Sequence, residues 1–149
     1  MHRRRILILA AVACVASTAR AAPKLTNFRF GTLRIVSDGV FDFVSETRRI
    51  PRRWKDTGFR FGIGFDNPMR EPIEWYEIMH LPESTKEVSG NFQRARTQSL
   101  RTKTFNSDQP SVVDEFWFDE GDPLGKHRLE LFVNGSLTYT VHFEVVNDK

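Results

Sequence analysis

Leu129-Glu130-Leu131-Phe132-Val133-Asn134-Gly135-Ser136-Leu137-Thr138-Tyr139-Thr140-Val141-His142-Phe143-Glu144-Val145 is the stretch that decides the fold. Leu129, Leu131 and Val133 alternate up to Asn134-Gly135, and Leu137, Tyr139, Val141, Phe143 and Val145 alternate away from it. A period of two marks strands with one buried face, and Asn-Gly suits the positive φ angles of a type I′ turn. The spacing therefore predicts an antiparallel hairpin.

The same logic extends toward the N-terminus. Val112 to Phe118 predicts a short strand, followed by the acidic turn Asp119-Glu120-Gly121-Asp122-Pro123-Leu124-Gly125. In the polar stretch from Glu83 to Ser111, Arg94, Arg96, Arg101 and Lys103 alternate with small or polar residues. This predicts one exposed strand around Phe92 to Phe105, an edge guarded by its charges. Ile73, Trp75, Met79 and Leu81 share one phase of a strand that Pro82 closes, with Tyr76 and Ile78 in the other. Phe59 to Phe65 alternates large apolar residues with Arg or Gly, so its glycine face should lie close to a neighbour. Leu25 to Val36 and Val40 to Thr47 flank Ser37-Asp38-Gly39 as a second hairpin. The phase of the first strand slips at Gly31-Thr32, which predicts a bulge or a break.

Seven to eight short strands with no sustained helical periodicity give an all-β class, an antiparallel immunoglobulin-like β-sandwich, with a small barrel as the alternative.

Met1-His2-Arg3-Arg4-Arg5, the apolar run Ile6 to Ala16 and the small residues through Ala19-Arg20-Ala21 have the three parts of a secretory signal peptide. The expected organisation is a signal peptide over 1–21 and a single sandwich domain over 22–149, periplasmic or secreted through Sec export. The apolar run is too short to span a bilayer, so no transmembrane segment is expected. Ala11-Val12-Ala13-Cys14 loosely resembles a lipoprotein box, and lipid anchoring at Cys14 is the alternative. Cleavage after Ala21 lowers Lys+Arg from 22 to 18 against 19 Asp+Glu. The high pI thus belongs to the targeting segment and is no argument for nucleic-acid binding. Cleavage also removes the one cysteine, and with it thiol catalysis and cysteine-ligated zinc.

Ile50-Pro51 precedes Phe59-Arg60-Phe61-Gly62, a Trp75-containing strand ends at Pro82, and Glu115-Phe116-Trp117-Phe118-Asp119 follows. Gly125-Lys126-His127-Arg128-Leu129-Glu130-Leu131-Phe132-Val133 and Phe143-Glu144-Val145 complete the series. This order resembles a family of short bacterial domains, domain of unknown function 3859, although Arg128 stands where that pattern has an aromatic residue. The resemblance spans most of residues 25–146 and implies a β-sandwich. It carries over no activity and no site residue.

No nucleophile elbow, phosphate loop or Ser-His-Asp order is present, so no catalytic residue, cofactor or metal site is assigned and the domain is read as non-enzymatic. His80, His127 and His142 are widely spaced and form no H-x-H pair. Asp119, Glu120 and Asp122 offer oxygen ligands for calcium, but lack the ordered spacing of a calcium loop and read as a solvated turn. The candidate binding residues are Arg48, Arg49, Arg52, Arg53, Trp54 and Lys55, five cations around Pro51 and Trp54 in a loop between two strands. Such a loop suits an acidic protein or glycan partner, unless the Asp114–Asp122 stretch neutralises it internally. An exposed Trp54 would be an anchor, and a packed one a structural plug. The Arg94 to Lys103 edge is the second contact surface. The expected function is an exported binding domain whose oligomeric state stays open. A small envelope hydrolase or sugar-active enzyme, marked by a cleft joining His80 or His127 to the acidic turn, and a lipid-anchored assembly component are the alternatives.

Overall fold

Asn134 and Gly135, at φ 48° and 80°, make the left-handed turn that joins β10 (Gly125–Val133) to β11 (Ser136–Asn147). The turn is tied to the start of β5 (Ile73–His80). Asn134 Oδ1 accepts the Glu74 amide at 3.0 Å, and the Asn134 amide donates to the Glu74 carbonyl at 2.7 Å. In this computed structural model, residues 22–86 and 88–148 are described. The segment 1–21 read as a signal peptide, with Cys14, lies outside them.

Two sheets face each other. The first has the order β2-β1-β4-β9, from β1 (Thr26–Ser37), β2 (Val40–Glu46), β4 (Arg60–Asp66) and β9 (Ser111–Phe116). The second runs β3-β11-β10-β5-β7-β6, with β3 (Arg49–Arg52), β6 (Phe92–Arg96) and β7 (Ser99–Thr102), while β8 (Phe105–Ser107) pairs with β5. The all-β sandwich is as the alternation requires. Among the described residues no helix is long and apolar enough to cross a membrane.

The strand count is eleven among the described residues, not seven to eight, because two segments fold differently from their local pattern. The basic segment is not simply a loop. Arg49–Arg52 forms β3, which runs parallel to β11 with Ile50 opposite Val145, so the sandwich is not wholly antiparallel. Ile50 has no exposure and anchors β3 to the core. The Arg94–Lys103 stretch is not one exposed strand either. It turns at Thr97-Gln98 into the β6–β7 hairpin, and Ser99, Leu100 and Thr102 are buried against β5. The alternating cations had masked those inward residues.

Phe30, Phe61, Phe116, Phe118 and Phe143 meet in the core, with the Phe61 and Phe118 rings stacked at 4.7 Å and Phe30 and Phe143 at the same separation. Leu129, Leu131 and Val141 close it from the second sheet with no exposure. The opposite face of the first sheet is covered by its own hairpin. A Cβ on Gly62 would stand 2.9 Å from Leu33 Cδ1, and one on Gly64 would stand 2.9 Å from the Phe43 ring. The glycines of β4 thus leave room for Leu33 and Phe43, which explains the change of phase in β1 without a break. The irregularity falls on β2, where Val44 is the extra residue between Ser45 opposite Thr32 and Phe43 opposite Leu33.

Another bulge, at Thr138, sets Leu137 opposite Phe132 rather than Val133. It turns Leu137 out to solvent, at 54% exposure, against the expectation that it continues the inward phase of Tyr139 and Val141.

Candidate binding surfaces and a buried carboxyl pair

Ile50 buries β3 and leaves its cations at the sheet edge. Arg48 Nη1 donates to the His142 carbonyl at 3.4 Å, and Arg49 Nη1 lies 3.8 Å from Glu144 Oε2, with both arginines exposed. Beyond the strand, Arg52 Nη1 donates to the Asp122 carbonyl at 2.7 Å, and Arg53 Nε pairs with Asp148 Oδ1 at 3.0 Å. Trp54 is half-buried and packs on the core, so it is a plug rather than a free anchor, with the Lys55 ammonium 4.9 Å from its ring. Arg52, Arg53, Trp54 and Lys55 surround one depression of about 340 Å³, which Asp56, Asn147 and Asp148 complete. Arg48 and Arg49 do not line it. The Asp114–Asp122 stretch meets the basic segment at Asp122, whose carbonyl accepts Arg52 Nη1 and whose carboxylate feels the Arg52 charge, while Glu144 and Asp148 face Arg49 and Arg53.

On the opposite edge, Arg94 Nη2 donates to the Thr85 carbonyl at 2.6 Å and the Arg101 guanidinium lies 3.9 Å from the Tyr76 ring. These cations are tied to their own surface.

The histidines do not converge. His80 Nε2 lies 2.8 Å from Glu130 Oε2, and His142 is exposed. His127 is buried, stacks on Phe143 at 5.2 Å and directs Nδ1 at the Gly125 carbonyl, 2.9 Å away. Burial holds its imidazole below the usual proton affinity. In the acidic turn, Asp122 Oδ2 accepts the Asp119 amide at 2.7 Å and Oδ1 accepts the Thr85 hydroxyl at 3.1 Å. The Ser89 hydroxyl donates to Asp119. Burial raises the Asp122 carboxyl above its ordinary value, although these donors oppose the shift. Among the described residues no three His, Cys, Asp or Glu side chains are grouped to hold a metal. A small cleft of about 60 Å³ does place His127, Asp119 and Asp122 on a common wall with Phe118 and Trp117.

Glu77 and Asp114 are the polar residues that the sequence reading passed over. Glu77 has no exposure and projects inward from β5 between Trp75 and Met79. Asp114 comes from β9, where it shares the inward phase of Val112 and Phe116, and its carboxyl lies within hydrogen-bonding reach of that of Glu77. Burial first, and Asp114 second, push Glu77 well above the usual carboxylate range. Burial pushes Asp114 up to about 6. The signal was present, since each acid interrupts the apolar phase of its strand, Glu77 that of Ile73, Trp75 and Met79 and Asp114 that of Val112 and Phe116.

The two-sheet architecture is shared with known proteins. An immunoglobulin-like protein of Pseudomonas aeruginosa, whose crystal structure is known, superposes over 85% of this chain and 100% of its own, with a TM-score of 0.52 and 16% identity. That likeness establishes an immunoglobulin-like fold and nothing about activity. An alkylpurine DNA glycosylase of Pseudomonas fluorescens, bound to DNA with an abasic-site analogue, matches over 82% of this chain and 30% of its own. At a TM-score of 0.38 and 10% identity, nothing follows from it. No curated protein matches the chain. The model of one sequence family, described as the PM0630 beta sandwich domain, matches residues 28–146, so the strands of both sheets fall almost wholly inside it. The chain belongs to the PM0630 beta sandwich domain family.

Proposed function

We propose that the protein is an exported, non-enzymatic binding domain that takes a partner bearing acidic groups, a protein or a glycan, at the Arg48–Lys55 segment. The observation that carries this reading is the depression of about 340 Å³ between Arg52, Arg53, Trp54 and Lys55. It combines three cations with an aromatic edge, Asn147 and the carboxylates of Asp56 and Asp148, of which Asp148 already pairs with Arg53. Guanidinium groups bind carboxylate and sulfate in bidentate fashion, and Trp54, held by the core, offers its edge at little entropic cost. Arg48 and Arg49 extend the positive charge along the free side of β3, where an extended partner segment can also align.

Export rests on the tripartite segment 1–21, and Sec cleavage after Ala21 is the reading adopted. A mass spectrum of the mature N-terminus separates it from lipidation at Cys14. Membership of domain of unknown function 3859 belongs to the same proposal and adds no site residue.

The test is crosslinking of the tagged chain in its native envelope, alongside binding to acidic and neutral polysaccharides, for the parent and for Arg53→Glu with Lys55→Glu. Both substituted side chains are exposed, so the variant keeps its fold. Loss of a defined partner, or of salt-sensitive retention on the acidic polymer, supports the proposal. An unchanged partner and unchanged retention would sink it.

One observation favours a second reading, a small envelope hydrolase or sugar-active enzyme. The cleft beside Trp117 joins His127 to Asp119 and Asp122. With Nδ1–H given to the Gly125 carbonyl, Nε2 is the basic nitrogen. Turnover of any glycoside or ester that disappears in His127→Gln, with the fold intact, would replace the binding proposal.

A further inference from the structure

One side of the sandwich carries two free sheet edges of opposite charge. β2 ends the first sheet and β3 ends the second. Thr47 and Arg48 join them directly, and the Phe28–Tyr139 and Phe30–Phe143 contacts stack β1 on β11 beside them. β2 bears Asp42 and Glu46, both exposed, and no cation. From Arg49 to Lys55 there are four cations and no carboxylate.

The two edges also match in level. Glu46 lies opposite Gly31 and Asp42 opposite Arg34, while Arg49 lies opposite Glu144 and Arg52 opposite Asn147. The two aromatic contacts show β1 and β11 running the same way. Glu46 therefore stands near the level of Arg49, and Asp42 near that of Arg52 and Arg53. Neutralisation within the chain is weak at β2. Among the described residues Glu46 has no ion pair, and Asp42 has only Arg34 at 3.4 Å, with both side chains exposed. On the basic edge, Arg53 pairs with Asp148 at 3.0 Å, but Arg49 is 3.8 Å from Glu144 and exposed. Pairs so exposed contribute little.

The acidic edge is apolar as well. Ile35, Val36, Val40 and Val44 are exposed on the β1–β2 hairpin, Val40 at 50% and Val44 at 62%. The pairing of β1 with β4 ends at Leu33, so residues 34–37 and 40–42 project beyond the sheet as two strands without a third. Two strands alone are marginal in water.

We infer that this side of the sandwich is the interface of a two-fold dimer, in which the β2 edge of each copy lies along the β3 edge of the other. A two-fold axis along the strands makes both contacts at once and preserves their levels. Glu46 then faces Arg49 of the second copy, and Asp42 faces its Arg52 and Arg53, while Val40 and Val44 leave water. An axis across the strands would instead set β2 on β2 and β3 on β3, with like charges opposed. Pro51 and the Val44 bulge interrupt both edges, so side chains rather than a continuous ladder make the contact. The inference rests on the reading of Arg48–Lys55 as a site for acidic groups, and it names the acidic partner as a second copy of this chain.

The experiment is sedimentation velocity on residues 22–149 from about 1 µM to about 1 mM, at low and high salt. The parent should dimerise, and salt should weaken the dimer. Asp42→Arg with Glu46→Arg, and separately Arg49→Glu with Arg53→Glu, should each weaken self-association at least about tenfold. All four side chains are exposed, so the fold is kept. Mixing the two variants should restore a dimer containing one copy of each, which a misfolded variant could not do. A parent that stays monomeric, a dimer undiminished by reversal of the β2 acids, or a mixture that fails to pair would overturn the inference. A monomeric parent that still holds an acidic polysaccharide through Arg53 and Lys55 would overturn the dimer and leave the proposed function standing.

Discussion

Thr102 Oγ1 engages Glu77 at both ends, accepting the Glu77 amide at 2.9 Å and donating to the Glu77 carboxyl at 3.1 Å. One buried hydroxyl therefore satisfies a backbone donor and a side-chain acceptor where β5 meets β7. Thr102→Val keeps the shape and removes both bonds. Two buried polar groups are then unpaired, and the expected cost is about 2 kcal/mol. Urea unfolding monitored by Trp fluorescence measures it, and a change below about 0.5 kcal/mol would mean that water replaces the hydroxyl.

The carboxyl pair sets a pH dependence whose sign follows from its direction. Glu77 lies well above 4.5 and Asp114 is pushed from 3.8 to about 6 by burial, so the folded chain holds these protons more tightly than the unfolded chain. Their contribution is fully present below the unfolded values and is lost as pH rises through about 6 and beyond. His127 acts oppositely. Its lowered value makes the folded state prefer neutral imidazole, so its contribution is present above 6.5 and declines as pH falls. The urea midpoint should decline as pH rises from about 4 to about 6, the interval over which Asp114 loses its proton, and Glu77→Gln should weaken that decline. A midpoint that rises over this interval in the parent would contradict the assignment.

Gly31, Gly62 and Gly135 separate close packing from backbone conformation. A Cβ on Gly31 would fall 1.9 Å from the Ser45 carbonyl oxygen, and one on Gly62 would fall 2.0 Å from that of Asp114. Both obstacles are backbone of a paired strand, so Gly31→Ala and Gly62→Ala should each cost about 3 kcal/mol or more. Gly135 meets nothing within 4 Å, but sits at φ +80°. Gly135→Ala should cost only about 1 kcal/mol, from backbone strain alone. Equal losses at Gly62 and Gly135 would mean that β4 and β9 can move apart to admit a methyl group.

Leu129 and Leu137 contrast in the same hairpin. Leu129 is fully buried, and Leu129→Ala should cost about 2–5 kcal/mol through the cavity it leaves. Leu137 is turned out by the Thr138 bulge, and Leu137→Ala should change stability by less than about 0.5 kcal/mol. Denaturation midpoints of the two variants check both values, and a large loss at Leu137 would place it under an unseen partner surface.

The Leu129–Val145 alternation and the Asn134-Gly135 turn are local signals, which is why the C-terminal hairpin, the β1–β2 hairpin and the sandwich class were legible in the sequence. What local pattern lacks is partner identity. Arg49–Arg52 contains Pro51 and two arginines, so nothing in it announces a strand, and only β11 at the far end of the sequence makes it one. The β6–β7 hairpin was hidden by the alternation of Arg94, Arg96 and Arg101. For the candidate site, the cations of Arg48–Lys55 were visible, but their contacts with Glu144 and Asp148 depend on the same long-range pairing. Glu77 and Asp114 were each readable as acids in an apolar phase, but their contact exists only once β5 and β9 are stacked from opposite sheets.

The parallel β3–β11 pair also dictates an order of events. Arg53 and Asp148 are 95 residues apart, and β3 has β11 as its ladder partner. During synthesis β3 must wait, unpaired, until β11 emerges, and closing so long a loop is slow. The edge that bears the candidate binding residues is therefore assembled only after nearly a hundred further residues have been made, roughly the separation of Arg53 and Asp148.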